Sequence, residues 1–294
     1  MTMANLTPFR DPGARARFLA SYESVMDDWP VPREDMEVAS AFGQTHVVVS
    51  GSPSAPPLVL LHGANTTSAV WRPIIAALSS SYRCFCIDTI TDANKSVATK
   101  PVRRAEDYVS WLRQTLDALG VDTARLAGFS YGGWLAALFT LQAPERVSHL
   151  SVLGPAATLD PIPVHFFLRS FSTGLLRSPA LADRFLQWMS ATPNATSDPI
   201  MALIADCMTA SRPLRREVLP PRVFSDADLG RLTVPVTVLI GDQDVVYRRG
   251  PDVALQRART HIPNVHAEML PGANHTQMLD CPDLVVTAMM SSMA

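Results

Sequence analysis

Long apolar runs, surplus basic charge and cysteine are all scarce in this sequence, and each shortage excludes a class of protein. No stretch approaches the roughly 18 uncharged apolar residues of a membrane-spanning helix, and residues 1–17 lack the apolar centre of about 7 to 15 residues that a signal peptide needs. A cytoplasmic protein without a membrane partner is the expectation. Lysine and arginine number 25 against 27 aspartates and glutamates, a formal net charge of −2, so no basic face is available for nucleic acid. That balance suits a small ligand, neutral or weakly charged. Four cysteines in 294 residues do not make a disulfide framework. Cys84 and Cys86 stand two apart in an apolar run, on one side of a strand, which reads as a buried reduced pair. They also lack the spacing of a zinc site, and no second Cys/His cluster completes one, so no metal is expected.

What the chain has is apolar surface. Hydrophobic residues make up 47% and charged residues 18%, enough for a large core with one insertion and too little charge for disorder. Residues 14–26 carry apolar and charged residues at helical spacing, and Trp29-Pro30-Val31-Pro32 stops that helix. Apolar or β-branched runs at 45–49, 57–61, 82–87, 124–129 and 149–153 read as strands, 57–61 as one buried on both faces. Helical patterns at 70–78, 105–119 and 134–141 lie between them. The alternation predicts an α/β fold with a mostly parallel sheet flanked by helices. It breaks at 154–232, where helix-like stretches at 164–172, 179–190 and 199–211 occur with several prolines and no convincing strand. This segment is assigned as a helical cap, and residues 1–153 and 233–294 as the core. Strands resume at 236–240 and 266–270, with helices at 253–258 and 283–293.

Chemistry is concentrated in four short segments. Gly128-Phe129-Ser130-Tyr131-Gly132-Gly133 lies between a predicted strand and a predicted helix, the setting of a nucleophile elbow. A sharp turn there exposes Ser130 at a helix N-terminus, and glycine on both sides avoids the clash that a Cβ would cause. A serine hydroxyl needs a base and an orienting carboxylate, in chain order Ser, Asp/Glu, His. Gly241-Asp242-Gln243-Asp244 directly follows the strand at 236–240, and Gly272-Ala273-Asn274-His275 follows the strand at 266–270. Functional residues in such sheets gather beyond the carboxyl ends of strands. His275 is the candidate base and Asp244 the candidate acid; Asp242 is the alternative, better suited to capping the turn. The fourth segment, Leu61-His62-Gly63-Ala64-Asn65, ends the strand at 57–61. An oxyanion hole needs two amides, assigned here to Tyr131 and to Ala64 or Asn65. His62 precedes the nucleophile and is read as loop scaffold. His46, His149, His165, His261 and His266 show no partner pattern and are left as core or surface residues.

Together these segments resemble the full motif set of the α/β-hydrolase superfamily. Leu60-Leu61-His62-Gly63-Ala64 and Asp92-Ala93-Asn94-Lys95-Ser96 further resemble its bacterial carboxylesterase-like branch. The resemblance runs from about residue 18 to about residue 282 and is weakest across the cap. It implies the α/β-hydrolase fold, a serine esterase that needs no cofactor, and a small-molecule ester substrate. Many relatives carry a longer glycine run after the His-Gly pair, where this chain has Ala64-Asn65-Thr66-Thr67. Rival activities on the same motifs are a lactonase or macrocyclic-ester hydrolase, a thioesterase, a carbon-carbon bond hydrolase and a cofactor-free haloperoxidase. A ligand receptor that does not turn over is the rival from another class. Phe166, Phe167, Leu168, Trp188 and Met189, on apolar cap helices, are expected to cover Ser130 and contact substrate.

Overall fold

A computed structural model describes residues 6–212 and 219–293; positions 1–5, 213–218 and 294, which belong to the predicted core and cap segments, lie outside the described residues. In chain order the elements are α1 (Pro12–Asp27), β1 (Arg33–Ser40), β2 (Gly43–Ser50), β3 (Pro57–Leu61), α2 (Arg72–Ser79), β4 (Arg83–Ile87), β5 (Val97–Ala98), α3 (Ala105–Ala118), β6 (Ala124–Phe129), α4 (Tyr131–Gln142) and β7 (Val147–Leu153). Helices α5 (Val164–Leu176), α6 (Pro179–Met189), α7 (Pro199–Ala210) and α8 (Asp226–Gly230) follow. The chain closes with β8 (Val236–Gly241), α9 (Pro251–His261), β9 (Val265–Leu270), α10 (Gln277–Asp280) and α11 (Pro282–Met293). No helix among the described residues is long and apolar enough to cross a membrane.

One nine-stranded sheet runs β1-β2-β4-β3-β6-β7-β8-β9, with β5 beside β2. From β4 to β9 every pairing is parallel, and β1 and β2 are antiparallel additions at one edge. The chain leaves β3 toward β4 on one side and later continues from β6 to β9 on the other. The order therefore reverses between β3 and β6, and ligands of open α/β sheets bind at such a switch point, beyond the carboxyl ends of the strands.

Both faces of the sheet are buried, as helical crossovers require. Along β3, Leu58 and Leu60 join one apolar cluster, Val59 and Leu61 the other; along β4, Cys84 and Cys86 face the first and Phe85 and Ile87 the second. The two thiols are free, and burial pushes Cys84 up to about 12 and Cys86 well above its ordinary value, which keeps both protonated. The first cluster gathers α1, α2, α11 and the inner faces of α6 and α7 onto the sheet, and the second gathers α3, α4 and α9.

The antiparallel edge strand β1 has no counterpart among the predicted strands. Arg33, Glu34, Asp35 and Glu37 crowd it, and only Val38 is fully buried. Charge of this kind suits an edge strand, where it deters pairing with another chain, but it hides the strand from a search for apolar runs.

Candidate active site

The turn from β6 into α4 is under steric compulsion. Ser130 sits at φ 53° and ψ −116°, a region that costs a non-glycine residue of order 1–3 kcal/mol. Its amide donates to Leu153 O (2.9 Å) and its carbonyl accepts from Trp134 and Ala156 (3.1 Å each), which holds that backbone in place. A Cβ on Gly128 would fall 2.2 Å from Gly132 O, and one on Gly132 would fall 2.3 Å from Leu61 O. The G-x-S-x-G spacing thus follows from how closely α4 passes over the ends of β6 and β3.

Three loops bring side chains to this serine. His275 Nε2 lies 2.9 Å from Ser130 Oγ, and His275 Nδ1 lies 3.1 and 3.2 Å from the two oxygens of Asp244. Asp244 is fully enclosed at its carboxylate, and its Oδ1 also accepts from Val246 N at 2.9 Å. The other acid of that loop, Asp242, points elsewhere: its Oδ1 accepts from Gly272 N at 3.0 Å and ties the β8 loop to the β9 loop. Phe129 packs beside the imidazole, ring centroids 5.2 Å apart.

Sequence reading missed two supports. Gly154 directly follows β7 at φ 51°, and a Cβ there would lie 3.0 Å from Asp244 Oδ2 and 3.2 Å from His275 Nδ1. Asp280, on α10, accepts six hydrogen bonds. Its Oδ1 takes Ser190 Oγ, Ala191 N, Thr192 N and Thr192 Oγ1, and its Oδ2 takes Asn274 N and Thr276 Oγ1. One carboxylate thereby joins the histidine loop to the end of α6. The amides of His275 and Thr276 add bonds to Met189 O (3.0 and 3.2 Å). Both supports reach across the sequence, and neither has a local motif that would announce it.

The loop after β3 faces the serine from the other side. His62 Nδ1 bonds Gly63 O at 2.8 Å, and its Nε2 accepts from Thr89 N at 2.9 Å, so the ring carries its proton on Nδ1 and braces the loop from behind. Ala64 and Asn65, the latter in the left-handed region at φ 55°, line the same cavity as Ser130, Tyr131 and His275. This cavity, about 210 Å³, is otherwise walled mainly by apolar side chains. Phe166, Phe167 and Met189 are among them. Trp188 is not, which corrects the expectation for that residue, and Leu168 borders an adjoining groove instead. On α6 the face bearing Phe185, Leu186 and Met189 looks into the cavity, and Trp188 lies beside that face, about 60° round the helix from Phe185 and about 100° from Met189. It stacks instead behind Phe166 and Phe185 (6.3 and 6.1 Å), with the Arg169 guanidinium 4.4 Å over its ring. Leu168 projects outward from α5.

A second histidine cluster lies apart from the serine. His46 Nδ1 is 2.9 Å from Asp88, and its Nε2 is 2.9 Å from Asp35, so the absence of a partner pattern for His46 is corrected as well. The partners stand on β1 and just past β4, too far along the chain to be seen as a motif. Asp88 also accepts from Ser68 N, and its backbone carbonyl accepts from Ser96 Oγ. Asn94 bonds Thr89 O and Ser96 N, while Lys95 pairs with Glu23 at 2.9 Å. The Asp92-to-Ser96 segment is therefore the frame of this cluster.

The family model described as alpha/beta hydrolase fold matches residues 56–201. The chain is 35% identical over 274 residues to an uncharacterized carboxylesterase of Bacillus subtilis, across 92% of this chain and 89% of that protein. Among solved structures, it is similar to naproxen esterase (carboxylesterase NP) from Bacillus subtilis, with a TM-score of 0.89 and 32% identity across 95% of this chain and 98% of that one. It is also similar to carboxylesterase CesB of the same organism, with a TM-score of 0.88 and 30% identity across 96% and 99% of the two chains.

Proposed function

The chain belongs to the α/β-hydrolase family and is a carboxylic ester hydrolase, and on that premise we propose that it works through an acyl-enzyme on Ser130. The observation that carries the reading is the unbroken line from Ser130 Oγ through the His275 ring to Asp244. Ser130 Oγ attacks the ester carbonyl as His275 Nε2 takes its proton. Asp244 accepts from Nδ1–H, fixes the tautomer and stabilises the imidazolium that forms. The amide of Tyr131, first residue of α4, and that of Ala64 or Asn65 stabilise the tetrahedral oxyanion. His275 then returns its proton to the leaving alcohol, and a water, activated by the same nitrogen, hydrolyses the acyl-serine. Helices α5 to α7 serve as a cap that lines the cavity with apolar side chains and keeps bulk water from the reacting atoms.

A fluorophosphonate should label Ser130 stoichiometrically, and p-nitrophenyl esters should turn over. Ser130→Ala should fold normally, escape labelling and lose at least ~10³-fold in kcat, because no other group can carry the acyl chain. Near-normal turnover by that variant would sink the mechanism, and labelling without turnover would favour a receptor.

A further inference from the structure

Helix α5 is apolar on two faces. Its inner face sets Phe166 against Phe185, ring centroids 5.3 Å apart, and buries Thr173. Its outer face carries Val164, Phe167, Leu168, Phe171 and Leu175, successive spacings of three, one, three and four residues that keep them on one side of the helix, each between 42% and 67% exposed. Such a stripe is the mark of a helix with something still to cover it. Val164, Phe167, Leu168 and Phe171 border a groove of about 500 Å³ that Arg212 also lines.

The groove continues from the reaction cavity, since Ala64, Asn65, Phe167, Ser170 and Met208 border both. The cavity around Ser130, about 210 Å³, is smaller than the roughly 300–1,000 Å³ typical of small-molecule sites, whereas the cavity extended by its groove falls within that range. No carboxylate lines either space among the described residues, and Arg212 is the one Arg or Lys there.

We propose that one substituent of the ester, a long or bulky uncharged hydrocarbon group, passes from Ser130 between Ala64 or Asn65 and Phe167 and lies in the groove along α5. Phe167, Leu168 and Phe171 are then specificity-determining residues, and the enzyme prefers esters with one extended apolar arm over acetates of small alcohols. Continuity of the groove with the reacting serine selects a substrate arm as its occupant, rather than a second copy of the chain or a lipid surface. The inference rests on Ser130 as the nucleophile.

The test measures kcat/KM on the intact protein for two series below their critical micelle concentrations. One lengthens the acyl group of p-nitrophenyl esters from acetate to decanoate, and the other lengthens the alcohol of alkyl acetates; the series in which kcat/KM rises identifies the arm. Leu168→Asp and Phe171→Asp change exposed positions and should lower the long-to-short ratio at least about tenfold, given what a pocket methylene is worth. Val253→Asp, at an exposed apolar site on α9, should leave that ratio unmoved. The groove reading is overturned if neither series rises with length, or if the ratio survives both α5 variants. It is equally overturned if Val253→Asp lowers the ratio as much, if the variants change only the oligomeric state, or if the preference appears only with phosphatidylcholine vesicles. Fluorophosphonate labelling of Ser130 in each protein keeps the two readings apart. An unlabelled wild type would remove the nucleophile, and a labelled wild type with a flat ratio would remove the groove alone.

Discussion

Two histidines in this fold keep nearly the same company and are fitted for opposite work. His275 and His46 are both buried, each with a carboxylate on Nδ1 within 3.2 Å and an oxygen on Nε2 at 2.9 Å. The difference lies in that last oxygen. Opposite His275 it is a hydroxyl, which can surrender a proton. Opposite His46 it is a second carboxylate, which can only accept one. Burial on its own lowers the pKa of His46, but the hydrogen bond and charge of Asp88 outweigh it and raise the pKa above the ordinary imidazole value. Burial likewise raises Asp88 and Asp35, but the bond of Asp88 to His46, and those of Asp35 to Arg33 and then to His46, bring both below the usual carboxylate range. His46 is thus favoured as a cation between two carboxylates favoured as anions, whereas the proposed role of His275 demands a proton that comes and goes. Two acids on the imidazole suit His46 to a brace; one acid and one hydroxyl suit His275 to the proposed base.

The sharpest way to break that comparison is at the acid. Asp244→Asn should cost about 10⁴-fold in kcat and leave the melting temperature nearly unchanged, as expected for losing the tautomer and the imidazolium partner. Asp242→Asn, which keeps an oxygen for Gly272 N, should retain most of the activity. A reversed result would move the acid's role to Asp242, and two mild effects would take it to another strand end.

At the brace, the effect should fall on stability instead. His46→Gln leaves the buried Asp88 without its cation, although Asp35 keeps Arg33, a loss in the range of about 3–5 kcal/mol for a broken buried pair, while kcat of the folded protein stays within about threefold. The raised pKa of His46 gives stability that is fully present below about pH 6.5 and fades as the pH climbs through its folded value. The lowered pKa values of Asp35 and Asp88 give stability that is present above about pH 3.9 and fades as the pH falls through their folded values. Urea titrations over a pH series should therefore show the widest gap between wild type and His46→Gln from about pH 4 to about pH 6.5. A gap independent of pH would mean that the cluster holds no charge.

A smaller effect should appear at the loop that presents His275. His46 sits in the middle of a strand, but His275 depends on a loop fastened by Asp280. Asp280→Asn turns one acceptor oxygen into a donor among six donors, and kcat should fall about 10- to 100-fold with KM little changed, since misplaced catalytic groups lose that much. An equal rise in KM would point to general loosening instead of mispositioning.

The central parallel strands were legible because they are buried on both faces and read as nearly pure apolar runs, as in Leu58-Val59-Leu60-Leu61. The outermost strand was not, since β1 exposes the face that carries Arg33, Asp35 and Glu37 and interrupts its other face with Glu34. The elbow and the loops bearing Asp244 and His275 could be found because chain order and strand-end position are local properties. What tertiary contact alone creates stayed hidden. The partners of His46, the six donors around Asp280 and the narrow space beside Gly154 all come from distant segments. Residues 164–176 are apolar around most of the helix, so their sequence does not say which phenylalanines face the serine and which face solvent.

Helices α6 and α7 do not sit on the sheet as a separate layer. Ala182, Phe185 and Leu186 from α6, and Ile200, Met201 and Leu203 from α7, share one apolar cluster with Phe9, Phe18 and Tyr22 at the N-terminus and with Leu60 and Phe129 in the sheet. A hinged lid needs a face that parts cheaply from what lies beneath it. Lifting α7 would wet several fully buried side chains at roughly 1.5–3 kcal/mol apiece, far beyond thermal reach. Helix α5 is differently anchored, with Thr173 its one fully buried residue and half-buried Phe166 its main hold on the cluster. Of the three helices, α5 is therefore the one whose displacement would wet the least buried surface.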